Sequence, residues 1–484
     1  MRTKNGNRRR DNRTKSTPIV LISAFFCFLF LSMIVYIWKS SAANKQEYIN
    51  NNYNTRQKIL VAQNTRGTIY SRDGEILANT ETDEKGKEVR NYPYANEFAH
   101  IVGFATNGKA GVEEFANYYL INTGIDLAQK VSYDSKGQKY PGDNVTTTLS
   151  VPLQEVCYYA LGDRKGAIVV SDPKTGEILA MVSKPDFDPN TIQADWNTFL
   201  ADKSENANLL KRATQGQYPP GSTFKIVTTL AYLNEHPNDY EDYRFKCTGK
   251  LSKDSSTISC YHGEKHGNID LYGSFAKSCN SSFANIGLGI QKKTFNKVLD
   301  DLMFNEELPL DLRYSKSSAK YKDNMPTSEI MQLSIGQGTT GVTPMHMNMI
   351  TCAVANKGTL MKPYFIKDIK TADGKVVKSY EPESYKRLMS EKESELLTEM
   401  MKQVVEKGTA SKLKGLSYTA AGKTGSAEFN SDKSHSHAWF TGFAPAEDPK
   451  ICLTVIVEDA GSGGSAAVPV AKRIFDIAED KGMF

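Results

Sequence analysis

The run Pro18 to Trp38, PIVLISAFFCFLFLSMIVYIW, has 21 residues and no charge. A helix rising about 1.5 Å per residue crosses a hydrocarbon core of roughly 30 Å at that length. Tyr36 and Trp38 stand at its far end, where amphipathic rings settle at a membrane interface. Ser40-Ser41-Ala42-Ala43 offers a cleavage site, but the run exceeds the roughly 7–15 residues of a secretory signal core, so an anchor is expected. The polar, Asn-rich stretch 40–58 reads as a stalk. Arg66 to Ala78 then alternates as strand, Asp-Gly turn, strand. The following segment shows a helical period only from Val112 to Ile121, and 39–148 reads as a small, irregular α+β module.

From residue 149 the pattern becomes regular. Val151 to Leu161 carries an apolar face at helical spacing. Gly166 to Ser183 holds two apolar runs around Asp-Pro-Lys-Thr-Gly. Tyr418–Glu428, His437–Ala444 and Ile451–Glu458 read as successive strands, and Ala466–Ala478 as a last helix. Strands at both ends with helices between predict an α+β fold, one antiparallel sheet sandwiched by helices. The chain thus divides into a tail (1–17), a membrane helix (18–38), an N-terminal module (39–148) and a sheet domain (149–484).

Net charge is +5 over 484 residues, without the basic clusters and interleaved aromatics of a nucleic-acid groove. The charge matters at one end. Residues 1–17 carry seven Lys and Arg against Asp11 alone, so the tail is expected to stay in the cytoplasm and residues 39–484 to lie outside. Seven cysteines, one of them Cys27 in the apolar run, are too few for a disulfide scaffold. Cys247 and Cys260 flank a hairpin-like segment and could pair. His262 and His266 are four apart and His435 and His437 two apart, but neither pair has a third ligand evident from spacing, so no metal is expected.

Three polar clusters carry the candidate chemistry. In Tyr218-Pro-Pro-Gly-Ser-Thr-Phe-Lys225 a chain break precedes a strongly apolar helix, and Ser222 and Lys225 fall on one face of it. A lysine carried into an apolar environment loses its charge readily and can serve a neighbouring hydroxyl as base, while the free N–H groups of a helix start can receive an oxyanion. Ser-x-x-Lys also begins at Ser171, Ser274, Ser317 and Ser411, but only Ser222 combines the preceding break with the apolar helix. Ser278-Cys279-Asn280 lies on a loop before another apolar helix, where Ser and Asn also serve as N-caps; Ser204-Glu205-Asn206 lacks that setting. Lys423-Thr424-Gly425 lies within a predicted strand, where glycine marks the close approach of backbone or ligand. Lys174-Thr175-Gly176 repeats the tripeptide at a hairpin tip and reads as a turn.

In this order the three clusters resemble the penicilloyl serine transferases, that is, penicillin-binding proteins and serine β-lactamases. Ile335-Gly-Gln-Gly-Thr-Thr-Gly-Val-Thr-Pro344, Trp439-Phe-Thr-Gly-Phe-Ala-Pro445 and the Arg66–Ala78 hairpin are similar to further family segments, the last to the start of the non-catalytic (pedestal or dimerisation-like) module of class B penicillin-binding proteins. The compact length resembles the short A type. The resemblance implies Ser222 as nucleophile, Lys225 as its base, Ser278 as proton relay to the leaving amine and Asn280 as orienter of Lys225. It implies Lys423 as partner of Ser278 and of a terminal carboxylate, Thr424 and Ser426 as ligands of that carboxylate, and Gly425 on a strand that pairs with an extended peptide. The N–H groups of Ser222 and Ser426 would form the oxyanion hole. Many family members have Thr where Ser426 stands. The implied reaction is crosslinking of peptidoglycan stem peptides through a Ser222 acyl-enzyme open to β-lactams, with no cofactor and with a membrane glycosyltransferase as partner. A D,D-carboxypeptidase or β-lactamase uses the same motifs. A non-catalytic sensor is disfavoured by the short tail.

Overall fold

The computed structural model describes residues 11–43, 55–201, 207–428 and 435–484. The first ten residues, most of the expected stalk (44–54) and the Ser204-Glu205-Asn206 element lie outside these ranges. Two units are distinct, residues 1–59 and 60–484. Within the first, helix α1 (Asp11–Ala43) contains the apolar segment Thr17–Ser41, 25 residues long enough to cross a membrane. Its apolar side chains from Ile19 to Trp38 are exposed, as a lipid-facing helix requires.

The first sheet of the second unit contains strands β1 (Ile69–Tyr70), β2 (Ile76–Thr82), β3 (Glu88–Asn91) and β4 (Asn144–Thr147). β1 and β2 are the expected hairpin around Asp73-Gly74. The expected helix Val112–Ile121 is two short helices, Gly111–Phe115 and Asn117–Ile121, interrupted at Ala116. The sheet has six strands. Ile366–Lys370 pairs with β4, and Val376–Ser379 pairs with Ile366–Lys370, so residues far beyond 148 complete it. Glu113 is fully buried and joins Arg66 and Arg90. Arg66 Nε donates to Glu113 Oε2 at 2.6 Å and Arg90 Nε to Oε1 at 2.7 Å.

The chain continues through α2 (Val151–Leu161), β5 (Gly166–Ser171), β6 (Ile178–Lys184), α3 (Lys225–Glu235), β7 (Phe245–Cys247), β8 (Lys250–Lys253), β9 (Ser256–Ser259), β10 (Gly267–Ile269) and α4 (Asn280–Gly289). Then come α5 (Pro344–Ala355), α6 (Glu391–Lys407), β11 (Ala421–Glu428), β12 (Ser436–Ala444), β13 (Ile451–Val457) and α7 (Val468–Asp480). Five of these strands form one antiparallel sheet in the order β11-β12-β13-β5-β6. β5, β6 and β13 are buried at every residue, which requires cover on both faces. Their Val and Ile content suits that position. α5 packs against β5, β12 and β13, whereas α2 and α7 pack on one another and against the sheet. The sandwich expected from the strand pattern is therefore present.

α5 is buried at all 12 positions, and its polar residues are matched to the sheet. Asn348 accepts from Ser171 Oγ at 2.8 Å, and hydroxyls of Thr351, Thr441 and Thr454 follow one another at 2.7 Å. Such pairing removes the cost of burying hydroxyls and fixes the helix over the strands.

Candidate active site

Ser222 lies in a single 3₁₀ turn, Gly221–Phe224, leading straight into α3. The turn is wedged against β11, the edge strand of the sheet. Gly221 has φ +52°, and a Cβ there would come within 2.7 Å of the Ser426 carbonyl oxygen. On the strand side, a Cβ on Gly425 would meet the Pro220 carbonyl at 3.0 Å and the Thr223 methyl at 3.1 Å. The glycine inside the strand is thus explained by backbone approach. Trp439 Nε1 donates to Pro219 O at 3.1 Å, and Gly221 N donates to Gly336 O at 2.9 Å. Gly336 itself has φ +72°. The glycine-rich stretch 335–341 therefore also holds the serine turn, through Gly336.

Lys225, the first residue of α3, is wholly buried. Its Nζ donates to Ser278 O at 2.7 Å, to Asn280 Oδ1 at 2.8 Å and to Ser278 Oγ at 3.2 Å. Lys423, on β11 and equally buried, donates to the same Ser278 Oγ at 2.9 Å and to Thr424 O at 3.1 Å. One hydroxyl is thus shared by two ammonium-type groups from segments far apart in the chain. Burial lowers the pKa of Lys225 to about 7, with the nearby Cys279 and Cys260 side chains acting in the opposite sense. Burial, and then the charge on Lys225, holds Lys423 well below the usual lysine range. Two cations competing for one enclosure favour a shared loss of charge.

Ser278 has φ +54°, a left-handed conformation uncommon for serine. Asn280 is held at both ends, its Oδ1 by Lys225 and its Nδ2 donating to Ser259 O at 3.1 Å. The cap of α4 is neither Ser278 nor Asn280. Cys279 occupies that position and its sulfur accepts from Ser282 N at 3.4 Å, leaving the serine and asparagine side chains free for Lys225.

Thr424 is almost completely buried, and its hydroxyl is hydrogen-bonded to that of Thr409. Ser426 is half-buried and accepts from Gly463 N at 3.3 Å. Thr409 and Gly463, which sit beside the strand, carry no motif in a single sequence. Gly463 begins a π-type turn, 463–467, which precedes α7 and displaces that helix's start from the expected Ala466 to Val468. A Cβ on Gly463 would lie 2.2 Å from Trp439 O, so this turn too is built on backbone contact.

Cys247 and Cys260 do meet, but as free thiols with sulfurs 3.7 Å apart. Cys279 and His266 join them, a grouping invisible to pairwise spacing. The other histidines go elsewhere: His435 pairs with Asp459 at 2.7 Å, and His437 Nδ1 accepts from Asp459 N at 3.2 Å.

Residues 166–476 match the penicillin binding protein transpeptidase domain, and residues 66–145 match the penicillin binding protein A dimerisation domain. The chain is 30% identical over 455 residues to the peptidoglycan D,D-transpeptidase PbpA of Mycolicibacterium smegmatis, covering 88% of this chain and 92% of that one. It is 29% identical over 445 residues to the peptidoglycan D,D-transpeptidase MrdA of Acinetobacter baumannii, covering 80% and 65%. Among solved structures, the penicillin G acyl-enzyme of penicillin-binding protein A from M. tuberculosis superposes with a TM-score of 0.77 at 26% identity, over 86% of this chain and all of that one. With its two buried lysines converging on one serine, a serine turn locked to an edge strand, and these likenesses along most of its length, the chain belongs to the penicillin-binding protein transpeptidase family.

Proposed function

We propose that this chain is a membrane-anchored peptidoglycan D,D-transpeptidase acting through a Ser222 acyl-enzyme. The observation that carries the reading is the Ser278 hydroxyl shared by Lys423 and by Lys225, which stands three residues after Ser222 at the start of α3. Neutral Lys225 takes the proton as Ser222 Oγ attacks the carbonyl of the penultimate D-Ala. The oxyanion is received by the Ser222 and Ser426 N–H groups. Ser278 delivers a proton to the departing D-Ala nitrogen and is resupplied by the lysines on either side. The C–N bond breaks and the serine ester remains. An amine of a second stem peptide then attacks the ester, Ser222 regains its proton, and the crosslink is released. A β-lactam enters by the same first step, but its leaving nitrogen stays tethered.

Asn280 keeps Lys225 aimed and offers its amide to the substrate. Lys423 supports Ser278 and contributes positive charge toward the substrate carboxylate. Thr424 is already engaged with Thr409, so of the two strand hydroxyls Ser426 is the more accessible to a carboxylate. β11 is an edge strand, available for pairing with an extended peptide.

In this reading α1 spans the membrane with the basic tail in the cytoplasm, residues 39–148 form a pedestal, and 149–484 carry the reaction outside. Glycan strands would be supplied by a membrane glycosyltransferase partner, as the class B resemblance implies. Full-length protein in detergent should be labelled by a fluorescent penicillin on the Ser222 peptide, lose the label over many minutes, and join stem peptides to an added D-amino acid. Rapid penicillin turnover would mark a β-lactamase, release of D-Ala without transfer a carboxypeptidase, and no labelling by any β-lactam a scaffold.

A further inference from the structure

We propose that Cys247, Cys260, Cys279 and His266 form a tetrahedral site for a thiophilic divalent cation of the zinc class, which fixes the Ser278–Asn280 loop. The four ligand atoms lie within 4.8 Å of one another. The Cys247–Cys260 and Cys260–Cys279 sulfur pairs are both 3.7 Å apart, and His266 Nδ1 is 3.3 Å from Cys247 Sγ. Zinc–sulfur bonds of about 2.3 Å at tetrahedral angles put sulfurs about 3.8 Å apart, and a zinc–nitrogen bond of about 2.0 Å puts nitrogen roughly 3.5 Å from sulfur. A disulfide would need about 2.05 Å and would strand the third thiol and the imidazole.

The surroundings are those of a thiolate site. Gly249 N donates to Cys247 Sγ at 3.4 Å, Ser282 N to Cys279 Sγ at 3.4 Å, and the Ser281 hydroxyl lies 3.1 Å from Cys260 Sγ. His266 turns its other nitrogen toward the Glu264 carboxylate, 3.6 Å away, the arrangement that orients a ligating imidazole. The three cysteines are buried, so water does not compete. The fold assembles the ligands from short paired strands. Cys247 ends β7, Cys260 follows β9, and His266 precedes β10, which pairs with β7. Cys279 is the middle residue between Ser278 and Asn280, and Asn280 is bonded to Ser259, next to Cys260. A cation here ties the loop that holds Lys225 to the β7–β10 platform. Binding releases the thiol protons and involves no change of oxidation state.

Full-length protein in detergent, purified under a reductant, is assayed for bound metal and for zinc uptake against a colorimetric chelator. One zinc per chain is expected, and cobalt in its place should give thiolate charge-transfer and intense tetrahedral d–d bands. Cys247→Ser and His266→Ala should each weaken zinc binding more than about 100-fold, since loss of outer partners alone costs 10–100-fold. If those variants do not fold, the cobalt spectrum of the unaltered chain decides. Reduced protein that takes up no zinc, or cobalt spectra lacking thiolate bands, overturns the site. So does a disulfide among the three cysteines in protein thiol-blocked within the membrane. The kinetic arm rests on the acylation reading: stripping the metal should slow penicillin labelling at least tenfold, and cobalt should restore it. Metal binding without that rescue refutes the loop-fixing role, and labelling failure in the metal-loaded chain refutes the acylation reading instead.

Discussion

Lys423 reaches across 145 positions of sequence to donate to the Ser278 hydroxyl at 2.9 Å, and Lys225 meets the same oxygen at 3.2 Å. A hydroxyl has two lone pairs and one proton, so two donors occupy its acceptor sites and leave its own proton directed outward. In the proposed reaction that proton goes to the leaving nitrogen. Ser278→Ala removes the relay from a loop that Asn280 and Cys279 still anchor. Acylation by penicillin, followed by stopped flow, should fall by about 10²–10⁴, the usual worth of a positioned acid–base group. The melting temperature should change little.

Lys225 titrates near neutrality because burial penalises its charge. A base works only when deprotonated, so the acylation rate should rise with pH through about 7 and level off above it. The stability sign follows from the same depression. Between the folded and unfolded pKa values the unfolded chain binds the extra proton, so stability rises with pH across that window. Lys225→Arg should abolish labelling, because guanidinium stays protonated at any working pH. A sigmoidal pH–rate profile in that variant would overturn the assignment.

Much of this site was legible from local pattern. The chain break before Ser222 and the apolar helix after it mark a buried lysine without any contact map, and the runs at 166–183 and 451–458 announce doubly covered strands. Long-range pairing was not legible. Ile366–Lys370 joins the N-terminal sheet by backbone bonds that leave no trace in spacing. Thr409 reaches Thr424 from a different element. Cys247, Cys260, His266 and Cys279 sit at irregular intervals because turns of paired strands, rather than one helix or knuckle, bring them together.

Gly221 gives a backbone test of the serine turn. Alanine there would have to adopt φ +52° and place its Cβ 2.7 Å from Ser426 O. Either the turn or β11 must shift, and displacement of about 1 Å at a reacting serine costs around 10²-fold. Gly221→Ala should therefore reduce penicillin acylation by about that factor. Gly74→Ala, in the distant β1–β2 hairpin, also has positive φ but meets no atom within 4 Å, and should leave acylation unchanged. Equal losses in both variants would show that the effect is general strain.

Glu113 tests the pedestal separately from the chemistry. Burial alone would raise its pKa, but Arg66 and Arg90 beside it bring the net value below the ordinary one. Its ionised form is thus favoured in the fold. That contribution is present above the unfolded glutamate pKa of about 4.3, and is lost as pH falls through the lower folded value. Glu113→Ala leaves two guanidinium groups, 13% and 10% exposed, without their carboxylate. Breaking a buried pair this way costs about 3–5 kcal/mol. Urea unfolding should show a loss of that size in the transition of the 60–484 unit. Protein that remains folded should be acylated at an unchanged rate, because among the described residues the Glu113 carboxylate is bonded to Arg66, Arg90 and Tyr92, none of which belongs to the serine turn, the Ser278–Asn280 loop or β11. A slowed acylation in the folded fraction would instead mean that the pedestal sheet, through its Ile366–Ser379 strands, sets the geometry of the serine turn.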